Sequence, residues 1–210
     1  MFRIKNSPII SFFGTLALII LVTFLGPEEK ALGSNVRIVY LHGAWVLTAE
    51  IAFISASLVG LLGLLGQLFI PLKNLQAKFL KWSEALGRTG IVFWVTYLPL
   101  SLWAMESNWN GLFLAEPRFR LALTFAVVGV LMQAGLTIIG NNILTAAANI
   151  AYIVALRIIF TSAANIMHPP PSPIFNSGNY VIISFFVGLN LLTWIAGYFL
   201  TSLWMSFSRD

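Results

Sequence analysis

His42 and His168 are the only two histidines in a 210-residue chain that has no cysteine and in which 9% of residues are charged. His42 stands in Val36-Arg37-Ile38-Val39-Tyr40-Leu41-His42-Gly43-Ala44-Trp45, where a long apolar segment begins. His168 opens Met167-His168-Pro169-Pro170-Pro171-Ser172-Pro173, where another such segment ends. Two neutral imidazoles approaching from opposite sides are a standard way to hold the iron of haem b, whose porphyrin also needs apolar walls and cations near its propionates. Trp45, Trp109, Phe113 and Phe175 are candidate walls, and Arg37, Arg118 and Arg120 are candidate propionate partners. A single histidine at a membrane edge is commonly just an interfacial residue; it is the pairing of the only two that makes them a candidate site.

Other chemistries find little support. Without cysteine there are no disulfides, iron–sulfur clusters, thiolate zinc sites or covalent c-type haem attachment on this chain. No Ser–His–Asp arrangement, zinc spacing or phosphate loop is visible, so the chain reads as a non-enzyme. Neither histidine has the companion four residues away that a helix-borne zinc site needs.

The elements that must position the histidines are transmembrane helices. Hydrophobic residues make up 59% of the chain and mean hydropathy is +0.89, values foreign to a soluble domain, where about a quarter of residues are charged. The expectation is a single all-α integral membrane domain over 1–210: a six-transmembrane-helix bundle with spans near 8–26, 43–71, 89–105, 119–138, 143–166 and 180–203. The first span resembles a signal peptide in its basic start, but its apolar run is too long and its Gly26-Pro27-Glu28-Glu29 exit has no small-x-small pattern, so it reads as retained. Residues 36–41 read as an interfacial segment before the second span, with Tyr40 and Trp45 at headgroup depth. Ser55, Gly60, Gly63 and Gly66 would let a neighbouring helix come close.

Residues 73–88 read as a cytoplasmic amphipathic helix on the membrane surface: Leu72, Leu75, Phe79, Trp82 and Leu86 recur every three or four residues, with Lys73, Lys78 and Lys81 mostly off that stripe. Gly140-Asn141-Asn142 is the turn that splits the long apolar tract after the fourth span. The prolines of 167–179 favour a stiff extended path. If the N-terminus is cytoplasmic, the inner segments hold Arg3, Lys5, Lys73, Lys78, Lys81, Arg88 and Arg209 and the outer loops hold Lys30, Arg37, Arg118 and Arg120. This bias places both termini in the cytoplasm of an inner (cytoplasmic) membrane protein, and accounts for the net charge of +5 without a nucleic-acid partner. His42, the Trp109 loop and His168 then share the outer face. Glu50 and Arg157 fall inside spans, where ionisable groups are functional candidates and are expected to pair with each other or to reach a propionate. Gln133 and Asn149 are expected to hydrogen-bond between helices.

The segment Arg37-Ile38-Val39-Tyr40-Leu41-His42-Gly43-Ala44-Trp45 resembles the first histidine segment of the CcmC-type haem-handling proteins of cytochrome c maturation, and Met167-His168 occupies the position of the second. The resemblance covers nearly the whole chain in topology and is specific around His42. It implies six helices, axial haem ligation by both histidines, and a tryptophan-rich outer loop that presents haem to a periplasmic chaperone. In Trp109-Asn110-Gly111-Leu112-Phe113-Leu114-Ala115-Glu116-Pro117-Arg118 the ending Glu116 and Arg118 is kept, while Leu112, Phe113 and Ala115 stand in place of the family's tryptophans. Gly43 stands where the family has proline. A chain with both ligands and a reduced platform opens two alternatives: a bis-histidine haem b subunit of a respiratory or photosynthetic electron-transfer complex meeting a cytochrome or other membrane subunits, or a structural subunit without haem.

Overall fold

The structure, a computed structural model, describes residues 8–66, 74–163 and 174–207. Among these residues there are six α-helices: α1 Pro8–Phe24, α2 Val36–Leu65, α3 Gln76–Trp109, α4 Pro117–Ile139, α5 Asn142–Ser162 and α6 Tyr180–Phe207. Four of them, α2, α4, α5 and α6, are long and apolar enough to cross a membrane. Helices α2 and α3 form the central pair. Helix α6 packs on both, with α1 against α6 and α2; α5 also packs on both, and α4 lies against α3 and α5.

Local chemistry sets several boundaries. Helix α4 opens at Pro117, whose missing N–H costs nothing at a first helical position, and the Glu116 carboxylate accepts the Phe119 N–H at 2.6 Å. It closes at Gly140, which adopts φ +66, a left-handed conformation open to glycine. The Asn141 side chain then accepts the N–H groups of Ile143 and Leu144, both at 3.0 Å, and starts α5. Gly140-Asn141-Asn142 is thus the turn expected.

Four expectations are corrected. Residues 36–41 are not a separate interfacial segment: they are the first turns of α2, with Val36, Ile38 and Tyr40 buried. Nothing between Asn35 and Gly43 breaks a helix, and the Tyr40 ring gains a partner in Phe185 of α6 at 5.3 Å. The described part of the expected surface helix, residues 74–88, is not a separate element either. From Gln76 onward they belong to α3, which runs unbroken through Pro99 for 34 residues. Its buried side there is Leu80, Ser83, Ala85 and Gly87, while Leu75 is exposed and Phe79, Trp82 and Leu86 are only half-buried. Small residues permit close helix contact where large apolar ones suit lipid, so the large-residue stripe points outward. A Cβ on Gly60 would lie 2.7 Å from the Ser83 hydroxyl, and one on Gly63 would lie 2.7 Å from Leu80. Trp109 is the last residue of α3 rather than part of a loop, and Asn110 follows at φ 53. Finally, the expected extended path over 167–179 gives way at its described end to a short 3-10 helix, Phe175–Ser177.

Buried polar groups stitch the bundle together. Gln133 of α4 donates to Asn149 of α5 at 2.8 Å, and Asn149 donates to the Ser83 carbonyl of α3 at 2.9 Å. Ser83 in turn donates to the Ala56 carbonyl of α2 at 2.8 Å. Gly87 makes room for this chain, since a Cβ there would lie 2.6 Å from Asn149. On the other flank Thr48 donates to Thr193 at 2.8 Å, and the Thr89 and Thr201 hydroxyls meet at 2.9 Å. Asn149→Ala is expected to lower stability by about 1 kcal/mol, the upper scale of interhelical hydrogen bonds in bilayers. The check is the midpoint of unfolding in detergent against wild type.

Candidate functional site

His42 lies in the second turn of α2, half-buried, with its ring 5.5 Å from that of Tyr97 on α3 at an interplanar angle of 48°. The aromatic contacts continue inward. Tyr97 meets Trp94 at 5.1 Å, and Trp94 meets Phe160 of α5 at 5.6 Å. The Trp94 indole N–H donates to the Ala122 carbonyl of α4 at 3.0 Å, which fixes the indole in place. Sequence reasoning missed Tyr97, Trp94 and Phe160. The available signal was the spacing of three between Trp94 and Tyr97, which puts both rings on one face of a helix.

The His42 end of the bundle gathers several connections. Asn35 donates to the Ser107 carbonyl at 2.7 Å, which joins the start of α2 to the end of α3. Arg37 donates from Nε to the Gly26 carbonyl at 2.9 Å and pairs with Glu28 at 3.3 Å, joining α2 to the exit of α1. Phe175 lies 5.7 Å from Phe186, whose ring sits where a Cβ on Gly43 would lie 3.2 Å away. Glycine next to His42 therefore lets α6 approach α2. His168 lies outside the described residues. Its neighbours in sequence on either side, Ala163 and Ile174, follow α5 and precede the 3-10 helix at this same end.

The remaining candidates are spread over this end. Trp45 turns toward α1. Its ring meets that of Phe93 at 4.8 Å with a tilt of 45°, its N–H donates to Thr96 at 2.8 Å, and it lines an apolar cleft of about 240 Å³ with Leu16, Ile19, Ile20, Leu41 and Leu100. The structure thus puts Trp45 and Phe160 on opposite sides of the α2/α3 pair. Trp109 is half-buried, Phe113 is exposed beside exposed Leu112 and Leu114, and Arg118 and Arg120 sit in the first turn of α4, with Arg118 half-buried and Arg120 exposed.

Two helical turns beyond His42, about 12 Å along the axis, the Glu50 carboxylate accepts from Arg157 Nη1 at 3.2 Å. The pair expected from sequence is formed. Removing one partner strands the other charge in a poorly solvated place, whereas removing both does not. Arg157→Met is therefore expected to destabilise by about 2–3 kcal/mol, and Glu50→Leu/Arg157→Met by less than that single variant. A double-mutant cycle read by detergent unfolding checks the order.

The described residues at this end offer a half-buried imidazole beside aromatic rings, with arginines at the same end. Comparison with protein-family models, with curated proteins and with solved structures found no match to this chain.

Proposed function

We propose that this is a haem-binding membrane protein that spans the inner (cytoplasmic) membrane six times, with both termini in the cytoplasm, and holds haem b at its outer face between His42 and His168. Helix α1, although 17 residues long, and α3 complete the six crossings. One observation carries the reading. Both ends of the segment bearing His168 are tied to the surroundings of His42, one through Phe160, Trp94 and Tyr97, the other through Phe175, Phe186 and Gly43.

When bound, haem would supply a redox-active iron that accepts two nitrogen ligands. The chain's own part is to hold two imidazoles, to line the porphyrin with aromatic rings such as Tyr97 and Trp109, and to offer Arg37, Arg118 and Arg120 to the propionates. It acts as a holder and presenter, not an enzyme, in the manner of the CcmC-type proteins it resembles. The partner at the outer face is a periplasmic haem chaperone or a cytochrome. Membrane lipid and other membrane subunits surround the rest.

A second reading, retention of haem for electron transfer, is favoured by Leu112, Phe113 and Ala115, which leave the outer loop fewer flat indoles on which to present a porphyrin. Titration of the purified protein with haemin tests the common claim, and a saturable Soret band at one haem per chain is the expected result. No such band under ample haem would overturn both readings. Complementation of a cytochrome c maturation defect then selects the first, and stable copurification with multihaem cytochromes the second.

A further inference from the structure

Helices α5 and α6 each pack against α2, yet among the described residues they make no contact with each other. Between them α2 is uncovered and exposes Ile51, Ile54 and Leu58. At the His42 end of this opening lies the Glu50–Arg157 pair, with the arginine side chain 55% exposed and the glutamate 23% exposed. The positive partner is thus the one turned outward. Arg157 is also the only charge in α5, and α6 has none. A half-exposed arginine below the end of a spanning helix is costly in lipid and is kept where an anion or a polar route needs it.

We infer that the α5–α6 opening is the route by which haem reaches His42 sideways from the bilayer, with Arg157 receiving a propionate on the way. The inference rests on the haem-binding reading above. Its occupant follows from the lining: an apolar floor of isoleucine and leucine suits a flat hydrocarbon ring, and a guanidinium suits a carboxylate, which it binds through two parallel N–H donors. Glu50 engages only Nη1. It steadies the side chain and leaves the rest of the fork for a second carboxylate.

The absence of native cysteine makes the route testable without a background of other labels. Full-length protein in liposomes is offered haemin either dissolved in the bilayer or free in the water outside, and the Soret band is followed in time. Ile54→Cys bearing a bulky maleimide is expected to load about tenfold more slowly from the bilayer, as for the loss of an orienting contact or a blocked path. Its loading from water and its final amplitude are expected to match wild type. Leu131→Cys, labelled in the same way on the outward face of α4, is expected to load normally from both sources, and Arg157→Gln to load slowly from the bilayer. Equal bilayer loading by labelled Ile54→Cys and labelled Leu131→Cys overturns the route and leaves the haem reading standing, as does loading of wild type from water alone. No Soret band in wild type from either source overturns the haem reading and this inference with it.

Discussion

Gly90→Leu is expected to leave no folded protein in detergent, and Gly90→Ala to cost at least about 3 kcal/mol, beyond the usual range for overpacking a core. A Cβ at Gly90 of α3 would run into the ring of Phe53 on α2. That ring is 3% exposed and cannot swing aside, because Trp94 lies 6.1 Å away on one flank and Tyr152 5.0 Å away on another. Tyr152 is itself fixed by its hydroxyl, which donates to the Phe125 carbonyl at 2.8 Å. The strain therefore passes into α4 and α5, and the helix pair at the centre of the bundle must separate. Phe53→Ala/Gly90→Ala should be clearly less destabilised than the two single losses added together, because the new methyl enters space that the ring has left. Unfolding midpoints of the two single variants and the double check this. A double variant whose loss equals the sum of the two single losses would mean that Phe53 is not what the new methyl meets.

His42→Ala is expected to weaken haem binding by more than about 100-fold, since even partners one shell removed from a metal ligand are worth roughly 10–100-fold. The protein should still fold: His42 is half-buried, and its removal leaves the Tyr97–Trp94–Phe160 contacts in place. Tyr97→Leu separates ligation from surroundings. It keeps the imidazole and removes the ring beside it, so the Soret band should persist with altered ligand-field features. Haemin titration of the three proteins measures the contrast. Equal affinity in wild type and His42→Ala would remove His42 from the site.

What could be read from the chain alone was the chemistry that acts over a few residues. Gly140 and Asn141 announce a left-handed stop followed by a side-chain cap, and both features are present. Charges and amides rare in apolar helices find each other because nothing else there satisfies them: Glu50 meets Arg157, and Gln133 meets Asn149. Gly60 and Gly63 likewise mark where α3 comes close. The pattern misleads where burial and hydrophobicity part company. In 76–88 the periodic large residues suggested a helix lying on the membrane, yet the buried face is the one carrying Ser83, Ala85 and Gly87. Similarly, nothing local distinguishes a helical 36–41 from an interfacial one; burial of Tyr40 against α6 is a long-range contact. The same holds at the site. His42 was visible as a rare residue, but the direction of Trp45 toward α1 and the neighbourhood of Tyr97, Trp94 and Phe160 depend on how α2, α3 and α5 are arranged.

The central claim is that His42 and His168 grip one iron. Near-infrared magnetic circular dichroism of the haem-loaded ferric protein tests it most directly, because the charge-transfer band of low-spin iron reports the two axial ligands. The account predicts a bis-imidazole band in wild type that is lost in both His42→Ala and His168→Ala. A wild-type spectrum with one imidazole or none, or a bis-imidazole band that survives either substitution, would contradict it.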